Sequence, residues 1–301
     1  MVLSPHPHSL APRYPTLDAG CTSTKGEPGK GTEMIDAVVL AAGRSGDDFQ
    51  QAFGTPYKCL VDIAGRPMIH WVLDTLRASS LIDRIVVIGP ERELREAGVR
   101  EQIIANDDGG YTESVRAGLR AVSSDRVLVL AADVPLLQVS GLDRYLGDCL
   151  RSDADACFPV VSWEAMQAGL PGARKTWYDL RDGKFTKGNA VVARRDLLLA
   201  RLDRVESLFN ARKKKQWAAL ICQDFMTRLL GNAASRTDVE GALSAYLRLR
   251  LRAIDAEPAL AVDVDEVTDA GFVTGVLVER RGRQLTPATP RLSLTIAEGM
   301  A

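Results

Sequence analysis

Asp36-Ala37-Val38-Val39-Leu40-Ala41-Ala42-Gly43-Arg44-Ser45-Gly46 is the stretch on which the fold turns. Residues 36–41 read as a strand, and the chain passes from it directly into a turn of small residues. Open parallel sheets bind their ligands at such carboxyl edges. Glycine and alanine there let backbone N–H groups approach a phosphate closely and offer fixed donors to a polyanion. Taken by itself, the same stretch reads equally well as a tight strand exit chosen for sterics.

Working outward, apolar runs alternate with segments of helical period, the pattern of strands and crossover helices. Pro67 suits the first turn of a helix, and Ile69, Val72, Leu73 and Leu76 then fall on one stripe. Residues 84–89 read as a second strand and 103–104 as a short third. Val115, Leu119 and Val122 mark another buried helix face before 126–132, apolar throughout as a central parallel strand is. A helix over 142–150 and a strand over 156–161 follow. The Asp182-Gly183 pair marks a turn and 189–193 another strand; 196–252 reads as a mostly helical insertion, with a final strand at 260–264. The expectation is an α/β domain over 34–281: a mostly parallel open sheet sandwiched by helices, with a helical insertion in its C-terminal half. Residues 1–33 carry Pro5, Pro7, Pro12, Pro15, Gly20 and Gly26 with almost no apolar periodicity. They are expected to be a disordered tail, with Met34 as the translation start, and 282–301 a second tail.

Lys and Arg number 38 against 39 Asp and Glu, a net charge of -1, which argues against a nucleic-acid groove or an anionic membrane surface as partner. A small-molecule substrate is expected. Cys21, Cys59, Cys149, Cys157 and Cys222 lack the spacing of a zinc site or a disulfide framework and read as reduced thiols. With neither a spanning apolar run nor a secretory apolar core, the expected location is the cytoplasm. His70 reads as a packed or surface histidine, and no serine, histidine and acid set points to hydrolase chemistry.

Three blocks carry a resemblance: Leu40-Ala41-Ala42-Gly43, then Pro56-Tyr57-Lys58-Cys59-Leu60, then Gly65-Arg66-Pro67-Met68-Ile69. Their order is similar to the opening signature of the nucleotidyltransferase superfamily with a GT-A type, Rossmann-like fold, which includes the molybdenum-cofactor guanylyltransferases and the cytidylyltransferases of isoprenoid synthesis. The resemblance implies that Leu40, Ala41, Ala42, Gly43 and Arg44 wrap a nucleoside triphosphate. It also implies that Lys58 neutralises the phosphates and the departing pyrophosphate. A point charge on a flexible stem suits a moving phosphate. The chain departs from the family where Asp47 and Asp48 follow Gly46 in place of a basic residue; these acids are expected to face solvent.

Asp108 to Val115 resembles the family segment that reads the nucleobase, which makes Gly109, Gly110 and Ser114 nucleotide-binding candidates; helix capping by Thr112 or Asp108 is the competing reading. Asp133 ends the most apolar strand and precedes Val134-Pro135, a poor core choice unless the acid has a partner. The resemblance makes Asp133 catalytic and a metal ligand, with a cap for the helix near Ser140 as competitor. In the closing block Ala261-Val262-Asp263-Val264-Asp265, alternate residues share a face of a strand, and Asp265 is the implied second ligand. Asp269 is expected to serve the first turn of the next helix. The implied cofactor is Mg2+ (or Mn2+), which takes one or two carboxylates and completes its shell with water and phosphate oxygens.

Lys184 to Asn189 resembles the family's acceptor side, giving Thr186, Lys187 and Asn189 as acceptor-binding candidates, whereas the basic run Arg212 to Lys215 reads as a solvated face. The implied reaction moves a nucleoside monophosphate from a triphosphate to a phosphate-bearing small molecule with release of pyrophosphate. The alternatives are a non-catalytic nucleotide-binding module and a GT-A glycosyltransferase using a nucleotide sugar. A dinucleotide-binding oxidoreductase is disfavoured, since Gly43-Arg44-Ser45-Gly46 lacks the full glycine fingerprint.

Overall fold

The structure, a computed structural model, describes residues 33–106, 110–213 and 223–285. The opening stretch forms strand β1 (Ile35–Leu40). Its side chains alternate between two cores: Ile35, Ala37 and Val39 pack on one face of the sheet and Val38 on the other. Beside β1 lie β2 (Ile82–Gly89), β3 (Gln102–Ala105) and β4 (Arg126–Ala131), all parallel. β4 repeats the alternation, with Leu128 and Leu130 on the first face and Val127 and Val129 on the second. Strands covered on both faces explain why the sequence is apolar without interruption there.

Helices α2 (Met68–Ala78) and α5 (Val139–Arg151) cover the first face through Ile69, Val72, Leu73, Leu76, Leu142, Tyr145 and Leu146. Helix α4 (Tyr111–Ala121) covers the second with Val115 and Leu119. Two short helices, α1 (Asp47–Phe53) and α3 (Glu91–Glu96), follow β1 and β2.

Beyond β4 the sheet continues through β8 (Ala190–Arg194), β5 (Ala156–Ser162), β7 (Gly183–Lys187) and β6 (Tyr178–Leu180), in the order β3-β2-β1-β4-β8-β5-β7-β6. β8 is antiparallel to both β4 and β5. The Asp182-Gly183 turn closes the β6–β7 hairpin, with Leu180 opposite Gly183. Helix α6 (Trp163–Gly169) links β5 to that hairpin. The domain is thus α/β, with a mostly parallel sheet between helical layers.

The insertion holds α7 (Arg195–Leu199), α8 (Leu202–Lys213), α9 (Gln223–Leu230) and α10 (Arg236–Leu247), with a small core of its own around Phe225 and Ala234. Three boundaries differ from the sequence reading. The insertion ends earlier, because β9 (Leu251–Asp255) pairs parallel with β5. The expected strand at 260–264 is instead a 3-10 turn (Pro258–Leu260) followed by irregular chain, whose Ala261, Val262 and Val264 are buried in a core and not paired in a ladder. The last helix, α11 (Val267–Leu285), runs past the expected boundary at 282. It buries Val273 and Leu277 in a third core with Val61, Ile63, Met68 and Val264.

Candidate active site

The carboxyl ends of β1, β2 and β4 meet through the backbone: the Ala41 N–H donates to Ile88 O (2.7 Å) and the Ala132 N–H to Leu40 O (3.1 Å). A β-carbon on Gly89 would lie 3.0 Å from the Ala41 carbonyl carbon, a tight contact that glycine avoids. The loop that follows does not float. The Ser45 N–H donates to Pro56 O (2.9 Å), the Lys58 N–H to Gly43 O (3.1 Å), and Arg44 bridges Tyr57 in antiparallel fashion. The Arg44 guanidinium also sits 5.4 Å from the centre of the Tyr57 ring. This clasp brings Lys58 back against the small-residue turn, with Ala42 half-buried and Gly43 exposed. Asp47 and Asp48 are exposed in the first turn of α1, where acids suit the helix dipole.

Asp133 stands just past β4. Its residue is partly open to the surface, yet its Oδ1 is buried and has no hydrogen-bond partner. Burial and the neighbouring Asp263 and Asp265 charges push its carboxyl up to about 7, against the opposing pull of Lys58. It caps no helix: α5 starts from Gln138 without a side-chain cap. The Val264 N–H donates to Asp133 O (3.0 Å), which lays the irregular 261–265 segment across the end of β4.

That contact brings the closing acids to the site although no strand carries them. Lys58 Nζ donates to Asp265 Oδ1 and Lys175 Nζ to Asp263 Oδ1, each as an ion pair. Burial pulls the Lys58 ammonium down, but the Asp265 hydrogen bond and the charges of Asp265, Asp133 and Asp263 outweigh it and hold the group above the ordinary lysine value. Beside them the Cys59 thiol donates to Ala41 O (3.2 Å), and burial with the Asp133 charge pushes it up to about 12, so it stays protonated. Asp269 accepts from the Asp265 and Glu266 N–H groups (3.2 and 2.9 Å), tying down the start of α11.

Of the acceptor candidates, Asn189 lies against this cluster. Its N–H donates to Leu260 O (2.9 Å), its Nδ2 to Ala261 O (3.3 Å), and its carbonyl accepts from Ala131 N (3.2 Å). Thr186 is 2% exposed on β7 opposite Val161, and Lys187 is exposed opposite Val160. On the nucleotide side Gly110 precedes α4 with no side-chain cap, so Thr112 does not fill that role. Ser114 Oγ donates to Gly110 O (3.2 Å) and accepts from Asn106 Nδ2 (2.9 Å). Gly109 and Asp108, like the side chains of the basic run from Arg212 to Lys215, lie outside the described residues.

The structure adds three residues to the neighbourhood that the sequence reading passed over. Asn106 orients Ser114, Phe209 stacks on Tyr111 with ring centres 4.1 Å apart, and Lys175 pairs with Asp263. Asn106 follows a strand and precedes the segment expected to read the base, a position that could have flagged it; Lys175 and Phe209 carry no local signal.

The donor set suits a hard divalent cation. Asp133 Oδ1 is an orphaned buried carboxylate oxygen with two further carboxylates in its field. Among the described residues no three His, Cys, Asp or Glu side chains converge on one point, so a protein-only cage is absent; Mg2+ needs none.

The chain as a whole resembles known proteins. A solved structure of a hypothetical transferase from Thermus thermophilus is 30% identical, with a TM-score of 0.69 over 79% of this chain and 100% of that one. A probable molybdenum cofactor guanylyltransferase of Pyrococcus horikoshii is 27% identical over 192 residues, 60% of this chain and 95% of its own. The bifunctional protein GlmU of Pseudomonas aeruginosa is 36% identical over 120 residues; that match covers 37% of this chain and spans only 25% of the relative's length. Residues 37–224 match the model of the MobA-like NTP transferase domain, and the chain belongs to that family of nucleotidyltransferases.

Proposed function

We propose that this nucleotidyltransferase moves a nucleoside monophosphate from a nucleoside triphosphate to a phosphate-bearing small molecule, releasing pyrophosphate, with the help of Mg2+ or Mn2+. The observation that carries the reading is the unpartnered buried Oδ1 of Asp133, set among Asp263, Asp265 and Lys58 at the carboxyl edge of the sheet. A carboxylate buried without a donor costs stability and is retained where a ligand completes it.

In this reading the triphosphate lies along the turn Leu40 to Arg44, whose clasp to residues 55–58 fixes the path of its backbone donors. Gly110, with Gly109 beside it, and Ser114 hold the nucleoside. An ionised acceptor oxygen attacks the α-phosphorus; the new P–O bond forms as the bond to the β-phosphate bridge breaks, and the electron pair leaves on pyrophosphate. No general base is needed, because a phosphate acceptor is already deprotonated at neutral pH. Asp133 and Asp265 would hold the metal, which lowers the barrier by neutralising charge on the phosphates. Lys58 moves from Asp265 to the departing pyrophosphate and takes up its charge. Asn189, with Thr186 and Lys187 on β7, borders the acceptor.

The test is incubation with each of the four triphosphates and magnesium against a panel of phosphorylated metabolites, with pyrophosphate as readout. Wild type releases pyrophosphate with at least one pair, and Asp133→Ala, still folded by circular dichroism, loses turnover by about a thousandfold or more. Near-normal turnover in that variant sinks the proposal. Release of a nucleoside diphosphate from a nucleotide sugar would point to glycosyl transfer, and tight binding without turnover to a binding module.

A further inference from the structure

On the nucleotidyl-transfer reading, we infer that Lys175 binds the anionic group of the acceptor, entering the site from the half of the sheet opposite the nucleotide. The donor-side elements come from the β3-β2-β1 half: the turn after β1, Lys58, and the segment after β3. Lys175 comes from residues 170–177, between α6 and the β6–β7 hairpin, which belong to the other half. The end of β4, with Asp133, is the border between them.

An anionic acceptor that approaches Asp133 meets three carboxylates: Asp133, Asp263 and Asp265. Lys58 answers Asp265 from the donor side. From the acceptor side, Lys175 answers Asp263. The two side chains are only 14% and 19% exposed, and an ion pair withdrawn from water to that degree adds little net stability, so folding alone is a weak reason to keep it. Asp263 takes one of the three ammonium N–H donors, and the others can serve a phosphate without breaking the pair. The ammonium is also held in place. Arg174 donates to Thr268 Oγ1 (3.2 Å) and pairs with Glu266 (3.5 Å), while two residues beyond Lys175 the Trp177 ring packs edge-on against Trp163 at 4.9 Å.

The test is calorimetric titration of inorganic phosphate into protein saturated with Mg2+ and an α,β-methylene analogue of each triphosphate. Lys175→Met weakens phosphate by about tenfold or more, the worth of one charge-assisted hydrogen bond, and leaves analogue affinity within about twofold. Lys175→Arg keeps phosphate binding within about threefold and shows that the charge, not the fold, is responsible. Unchanged phosphate affinity in Lys175→Met, or no phosphate binding to the analogue-loaded wild type, overturns the assignment and leaves the nucleotide-binding reading standing. An equal loss of analogue affinity moves Lys175 to the donor side and overturns it as well. Failure of wild type to bind any analogue sinks the nucleotidyl reading, and the Lys175 assignment with it.

Discussion

Burial and two neighbouring carboxylates act together on the carboxyl group of Asp133. Its folded value of about 7 lies above the ordinary 3.8, so between those values the native state holds a proton that the unfolded chain releases. In chelator-treated protein this contribution to stability is fully present below about pH 4 and gone once pH passes about 7, a loss on the order of a few kcal/mol. Asp133→Asn should therefore melt higher than wild type at pH 8 without metal and lose much of the decline across that window. Equal melting temperatures for the two at pH 8 would contradict it. A second expectation concerns the metal. On the proposed metal site, binding has to displace the Asp133 proton, so apparent Mg2+ affinity should rise as pH climbs toward 7 and level off above it, measurable by titration calorimetry. A flat profile would remove Asp133 from the ligand set.

At the scale of elements, the acids are placed by segments that are not strands. Gly188 is the pivot. A β-carbon there would lie 2.6 Å from Pro159 Cγ and 2.9 Å from Leu260 O, so the irregular segment leading to Asp263 and Asp265 rests directly on glycine backbone. Gly188→Ala must push Leu260 away from Asn189 and with it both acids from Asp133. We expect about 1–3 kcal/mol of destabilisation together with an activity loss larger than the stability change explains, checked by melting and pyrophosphate release on the same samples. Full activity would show that the segment tolerates displacement. Much of this layer was hidden in sequence. The β1 turn, α2, α4, α5 and the central strands were legible because an apolar stripe or an unbroken apolar run announces them. β9 was absorbed into the helical insertion although Leu247-Arg248-Leu249-Arg250-Leu251-Arg252 alternates with the period of a strand, and its last residues open the strand that pairs with β5. The strand expected at 260–264 failed for the opposite reason, since the apolar residues there reflect burial against α11 and not a ladder.

At the scale of the whole molecule, the sheet brings the halves of the chain together at the end of β4. Short motifs single out Asp133 and Lys58 as candidates in the sequence; nothing there singles out Lys175, because its pairing with Asp263 spans 88 positions of sequence. The insertion docks on α4, with Phe209 stacked on Tyr111 and Arg116 paired with Asp203 at 3.3 Å. Such a stack is worth about 0.5–1.5 kcal/mol. Phe209→Ala should speed amide hydrogen exchange in α8 and the first turn of α4 while β1 and β4 keep their protection. Uniform acceleration across the chain would mean that the insertion is part of the central cooperative unit.

The late position of Asp263 and Asp265 also has a temporal consequence. During synthesis, a nascent polypeptide stopped short of Asp265 already possesses the small-residue turn, Lys58 and Asp133, but not the carboxylates that complete the cluster. On the assignments made above, transfer has to await the elongation that delivers Asp263 and Asp265.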